Sequence, residues 1–278
     1  MILVLRLVFF STLCVFPHLA LALPQADPVP GGIALIKIDI DDFSAPQAYF
    51  NKRRLMVHQN KANWLAVVGI PLSTSVGKHQ IEVKPNRGTP FHLDFEVKEK
   101  EYESQYITIK NKRQVNPNKQ DLDRIRKEKK EMNQVYLSWT KQSNDLIPFI
   151  KPAQGPYSSP FGLKRFFNKQ ARNPHSGIDI AAAEGSPIIA PADGVVRASG
   201  HYFFNGKTVL IDHGQGLVSM FCHMSSINVQ LGQSIKQGQR VGSIGQTGRA
   251  TGPHLHWSVS LNNARVNPLL FLDQPKAY

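Results

Sequence analysis

Four histidines and one aspartate occupy positions from which they could share a metal ion. His175-Ser176-Gly177-Ile178-Asp179 is an H-x-x-x-D element entering one apolar strand, and His254-Leu255-His256 is an H-x-H element in another. In an extended chain, side chains at i and i+2 point to the same face, so His254 and His256 reach one site. His223 closes a third apolar run. Two imidazole nitrogens and a carboxylate oxygen suit a borderline-soft cation such as zinc and leave a fourth position for water. A lone H-x-H is usually two rings on an amphipathic strand, and a lone H-x-x-x-D is common by chance. The pattern gains weight because both occur with His223 in one β-rich stretch. The chain has no H-E-x-x-H, so a histidine titrating near neutrality is the natural group to move the proton of a water. His213, which ends a strand before Gly214, reads as structural. Strand alternation turns Cys222 away from the face of its neighbour His223, as a small buried hydrophobe.

These side chains depend on short strands. Apolar runs at residues 178–181, 187–189, 194–198, 208–213, 217–223 and 254–259 are separated by glycine-rich turns. Residues 245–252 are no phosphate loop, because they lack the Lys-Ser/Thr ending and open no helix. Upstream, Ile33-Ala34-Leu35-Ile36 and Trp64-Leu65-Ala66-Val67-Val68-Gly69-Ile70 are continuous apolar runs, whereas residues 79–84 and 91–98 alternate. Strands at this spacing predict a β-sandwich of immunoglobulin-like size, with His58, His79 and His92 scattered as strand or surface residues. Between the two regions, residues 110–130 carry nine basic against three acidic side chains. Asp121 can cap a helix over 121–141, with Leu122, Ile125, Met132, Tyr136 and Trp139 on its apolar face. The expected layout is mainly β: an N-terminal Ig-like β-sandwich domain (23–112), a helical linker (113–150) and a C-terminal antiparallel β-sheet domain (151–278).

Composition narrows the function. The 278 residues include 33 Lys+Arg and 20 Asp+Glu, a net charge of +13, which favours an acidic partner. The two cysteines exclude a disulfide scaffold and a cysteine-cluster metal site. Residues 7–16 are apolar and follow Arg6, and Ala20-Leu21-Ala22 matches a signal-peptidase site, so residues 1–22 read as a signal peptide cleaved before Leu23. An uncleaved anchor is the lesser alternative, since a span needs about 20 continuous apolar residues. Cys14 falls within this segment after a poor lipid-attachment box. Export argues against nucleic acid as a partner, and no later segment is apolar enough to insert stably in a membrane.

The motifs resemble those of the lysostaphin/LytM-type zinc metallopeptidases of peptidoglycan. The resemblance lies in Asn173-Pro174-His175-Ser176-Gly177-Ile178-Asp179-Ile180-Ala181, in Ile188-Ile189-Ala190-Pro191-Ala192-Asp193-Gly194-Val195-Val196, and in Ile211-Asp212-His213-Gly214. It continues through Phe221-Cys222-His223-Met224 and Thr247-Gly248-Arg249-Ala250-Thr251-Gly252-Pro253-His254-Leu255-His256-Trp257. It spans about residues 156–270, and residues 67–72 resemble the β-domain that precedes this peptidase in Gram-negative exported members. The resemblance implies a C-terminal LytM-type metallopeptidase domain with one zinc ion held by His175, Asp179 and His256. It makes His223 and His254 the assisting catalytic histidines, dividing water activation from oxyanion stabilisation and leaving-group protonation. It implies peptide cross-links of peptidoglycan as substrate, at D-Ala–diaminopimelate bonds, and a periplasmic location in a Gram-negative bacterium. Residues 245–252 and 168–173 are expected to wall the substrate groove. Shielding of the site by the N-terminal domain or the helix, and an unidentified regulatory protein partner, are further expectations. The competing reading is a catalytically silent relative that binds and activates a cell-wall amidase. Such proteins typically lose ligands, whereas all five positions are filled here.

Overall fold

The structure, a computed structural model, describes residues 23–60, 63–141 and 148–272; the predicted signal peptide lies outside them. The N-terminal region is built from β1 (Ile33–Ile38), β2 (Gln47–Phe50), β3 (Arg53–Arg54), β4 (Met56–Asn60), β5 (Asn63–Gly69), β6 (Gly77–Lys84) and β7 (Phe91–Val97). They form two antiparallel sheets, β1-β5-β4 and β3-β2-β6-β7. Ile36, Ile38, Val57, Ala66 and Val68 of the first share a core with Ala48, Phe50, Ile81, Val83 and Val97 of the second. The sandwich explains the two sequence patterns. β6 and β7 alternate because one face meets this core and the other meets water. β5 reads as a continuous apolar run because it is covered on both faces: Val67, with Ile33 and Met56, joins the core of the C-terminal region. At that seam the Asn262 side chain brackets Gly69, accepting from its N–H at 2.7 Å and donating to its carbonyl at 2.9 Å.

After β8 (Ser104–Ile107) comes α1 (Lys119–Leu137), which differs from the expected helix in three ways. Asn118, not Asp121, is the N-cap; Asp121 is the third helical residue and closes a capping box with Asn118. The helix stops at Leu137, so Trp139 lies beyond it. Leu122 is exposed, and the buried stripe is Asp121, Val135 and Tyr136, with Met132 packed beside it. Asp121 tolerates burial because Arg113 pairs with it at 2.6 Å.

The C-terminal region contains β9 (Tyr157–Ser159), β10 (Lys164–Phe167), β11 (Gln170–Ala171), β12 (Ile178–Ala181), β13 (Pro187–Ile189), β14 (Gly194–Tyr202) and β15 (Gly206–Gly214). It continues with β16 (Leu217–Met224), β17 (Ser226–Ile227), β18 (Ser234–Ile235), β19 (Arg240–Ser243), β20 (His254–Leu261) and β21 (Ala264–Val266). Its main sheet runs β18-β14-β15-β16-β20-β12-β9, with β21 paired to β20. One face of this sheet carries Val209, Ile211, Phe221, Leu255, Trp257, Val259, Ile178 and Ile180 into the main core. On the opposite face, α1 covers Ala198, Leu210, Val218, Met220 and Cys222. Beyond the helix, toward β20, β12 and β9, that face is polar. β8 pairs in parallel with β10, Ser104 opposite Lys164 and Ile107 opposite Phe167, and flanks the polar end. Among the described residues, no helix is long and apolar enough to cross a membrane.

Candidate metal centre

Register places the chemistry in one row across four strands. Asp179 of β12 lies opposite His256 of β20, which lies opposite Cys222 of β16; on the other side, Asp179 faces Ser159 of β9. His175 precedes β12 and is held by two backbone hydrogen bonds, from its own N–H to Leu163 O and from Gly162 N to its carbonyl. Gly177 lets this lead-in approach β20. A Cβ there would lie 2.4 Å from Trp257 O and 2.9 Å from Nε2 of His256. The spacing of H-S-G-x-D is therefore set by a close backbone approach.

Three atoms converge at the centre. His175 Nε2 is 3.0 Å from Asp179 Oδ1 and 3.0 Å from His256 Nδ1, and His256 Nδ1 is 2.8 Å from the same Oδ1. His175 Nδ1 lies 2.7 Å from Pro160 O. A carbonyl only accepts, so in the neutral ring the proton sits on Nδ1 and Nε2 presents a bare lone pair to a carboxylate oxygen. That is a poor arrangement for a buried pair of acceptors and a good one for a cation. Two nitrogens and one carboxylate oxygen within reach of a single point are the donor set zinc takes with an open fourth position. The carbonyl holding the far ring nitrogen of His175 is the kind of outer contact that fixes a ligand histidine's orientation. The residues present fit a zinc ion.

Asp179 is aimed by Arg165, whose Nη2 donates to Oδ2 at 3.0 Å and leaves Oδ1 for the histidines. Arg165 is held in turn by the Gln105 side chain of β8 at 3.1 Å and by Ser159 Oγ at 3.3 Å. Burial pushes the Asp179 carboxyl up, but the His175 and His256 imidazoles against its Oδ1 outweigh burial and hold it well below its usual range. Burial pushes His256 down to about 4, so the ring is neutral at physiological pH.

His223 reaches the site by breaking alternation. Lys207 pairs with Met224 and Val209 with Phe221, so Thr208 alone faces both Cys222 and His223. This is a β-bulge, and His223 takes φ +62°, a left-handed conformation that costs about 1–2 kcal/mol in a residue with a Cβ. Its Nδ1 donates to Thr247 O at 2.8 Å, and His254 Nδ1 donates to Gly252 O at 2.8 Å. The two rings lie 4.8 Å apart, each with a bare Nε2 when neutral. Burial, with His254 and His256 nearby, lowers His223 to about 3. Thr247 is pinned because Gly206, at φ +66°, leaves room for it; a Cβ on Gly206 would fall 2.3 Å from Thr247 Oγ1.

The bulge corrects the expectation for Cys222. Cys222 and His223 both line the cleft instead of facing apart. Cys222 is nonetheless buried beside Tyr136 and Met220, and burial pushes its thiol up to about 12, so it stays protonated. His213 is remote from the cleft, bonding Asp193 O and Ser219 Oγ. The cleft holds about 300 Å³. Of the expected groove walls, Asn173, Arg249, Ala250 and Thr251 line it, whereas Asn168 turns its amide to the Ile109 backbone. Arg165, Ile107 and Ile109 line it without having been expected.

The model of peptidase family M23 matches residues 173–268, and that of the M23 N-terminal domain matches residues 26–100. A crystal structure of a Pseudomonas aeruginosa protein assigned to peptidase M23 shares 42% identity, with a TM-score of 0.75, covering 89% of this chain and 96% of that one. DD-carboxypeptidase/endopeptidase Mpg of Neisseria meningitidis is 38% identical over 112 residues, 40% of this chain and 26% of its own length. Peptidoglycan DD-endopeptidase ShyC of Vibrio cholerae is 43% identical over 94 residues, 34% of this chain and 22% of its own. The chain thus spans about a quarter of the length of these curated relatives.

Proposed function

Because this chain belongs to peptidase family M23, we propose that it is a zinc metallopeptidase that hydrolyses peptide cross-links of bacterial peptidoglycan. The observation that carries the reading is the convergence of His175 Nε2, Asp179 Oδ1 and His256 Nδ1, with the His175 lone pair already committed inward by the Pro160 carbonyl. His175, Asp179 and His256 would hold one zinc ion, which supplies a Lewis acid that acidifies water and polarises an amide carbonyl. The protein's own part is positioning and proton traffic. Arg165 fixes the rotation of the Asp179 carboxylate, and His175, His223 and His256 line the cleft as buried side chains. His223 and His254 each anchor Nδ1–H on a backbone carbonyl, so each offers Nε2 to accept a proton from the attacking water and return one to the leaving amine.

The proposed bond is D-Ala–diaminopimelate, in keeping with relatives that bear the names DD-endopeptidase and DD-carboxypeptidase/endopeptidase. The proposed place of action is the periplasm, reached through cleavage of the N-terminal signal. Digestion of defined cross-linked muropeptides by the purified protein, with products identified by mass, tests the reading. Linear products that disappear with chelator and return with zinc are expected; intact dimers at one equivalent of zinc would overturn it.

A further inference from the structure

One strong charge in the cleft is left over by this account. Arg165 is neutralised by Asp179, but Arg249, on the same wall, has no Asp or Glu oxygen within 4.0 Å among the described residues. Its guanidinium lies over two rings, 4.5 Å from the centre of Phe167 and 4.3 Å from that of Phe204. Its Nη1 donates to Gln114 O at 3.2 Å, the one protein acceptor its side chain finds among the described residues. A guanidinium has five N–H donors, so most of this fork is uncommitted. Arg172, the next arginine outward, bonds only neutral acceptors: Val115 O and the side-chain oxygens of Asn116 and Gln170 among them. Among the described residues the cleft lining includes no Asp or Glu, and the carboxylate of the metal centre, Asp179, is already paired with Arg165. Burial, with Arg165 and Arg172 adding repulsion, lowers Arg249 to about 10, still fully charged at neutral pH.

A planar cation packed over two aromatic faces, without a carboxylate partner and lining the cleft that holds the metal centre, is pre-organised for a bidentate anion. We propose that Arg249 binds a free carboxylate of the substrate peptide, next to the bond that is cut, and so selects cross-links whose flanking carboxyl groups are not amidated. This rests on the hydrolase reading, since it takes the ligand to be a stem peptide. A phosphate would suit the charge equally, but peptide substrates bring carboxylates to this position.

The test uses paired muropeptide dimers whose carboxyl groups beside the scissile amide are either free or amidated. Two charge-assisted hydrogen bonds predict a kcat/KM about 10- to 100-fold higher on the free form for the wild type, carried mainly by KM. Arg249→Gln is expected to bring that ratio near 1, and Arg249→Lys to retain part of it. The ratio within one variant does not depend on how much of it folds. A wild type indifferent to amidation, or an Arg249→Gln variant with the wild-type ratio, overturns the proposal. Cleavage of neither dimer overturns the hydrolase reading instead. Calorimetric titration of the metal-free protein with free and amidated stem tetrapeptide then still decides: tighter binding of the free form supports the proposal, and equal or no binding refutes it.

Discussion

Exchanging Arg165 and Asp179 singly and together measures whether the guanidinium is what aims the ligand carboxylate. The closest atoms are 3.0 Å apart and the two side chains are 17% and 10% exposed, so the pair is largely out of water. Unit charges at that separation attract by about 5 kcal/mol at an effective dielectric constant of about 20. The charge centres lie farther apart than the nearest atoms, and Arg165 keeps Gln105 and Ser159 when Asp179 is neutralised. A coupling of about 2–3 kcal/mol is therefore expected. Asp179→Asn leaves a buried guanidinium without its anion and Arg165→Met leaves a buried carboxylate without its cation, each costing about 3 kcal/mol. The double variant is expected to cost less than their sum by the coupling energy. Urea unfolding of the four metal-free proteins at pH 7 gives the cycle. Costs that add to within about 0.5 kcal/mol would show the two groups to be independent and would refute the positioning role.

Two further outcomes follow from the buried groups. His213, His223 and His256 are pushed to about 4, 3 and 4 from an unfolded value near 6.5. The unfolded chain thus takes up protons first as pH falls, and the metal-free protein should lose about 1.4 kcal/mol per pH unit per histidine between roughly pH 6.5 and 4; a denaturation midpoint unchanged from pH 7 to 5 would contradict this. Asn262→Ala strips both partners from the Gly69 backbone at the seam between the two regions, costing about 2–4 kcal/mol. Hydrogen exchange should quicken first in β5, and protection there equal to the wild type would show that the seam does not depend on this amide.

Period-2 geometry made part of the site legible in the chain. H-x-H does put His254 and His256 on one side of a strand, and H-x-x-x-D enters the strand that pairs with it. The apolar runs likewise found β5, β12 and β13 because burial on one or both faces is written directly into residue type. What alternation could not show is the bulge at Cys222 and His223, since an extra residue in one strand is a property of the pairing and has no composition of its own. The roles of Arg165 and Arg249 were hidden for a similar reason. Each is one cation among 33 basic residues, and its meaning comes from distant partners: Gln105 and Asp179 for one, Phe167, Phe204 and Gln114 for the other. The N-cap shifted from Asp121 to Asn118 because both can cap, and the capping box uses them together.

Zinc stoichiometry across single variants tests the central claim most directly. Wild-type protein and His223→Ala, freed of metal and dialysed against equimolar zinc, should each retain one ion per chain, with turnover of His223→Ala falling by about 100-fold or more. His175→Ala, Asp179→Ala and His256→Ala should retain none. Full zinc occupancy in His256→Ala, or equal zinc loss in His223→Ala and His256→Ala, would contradict the account.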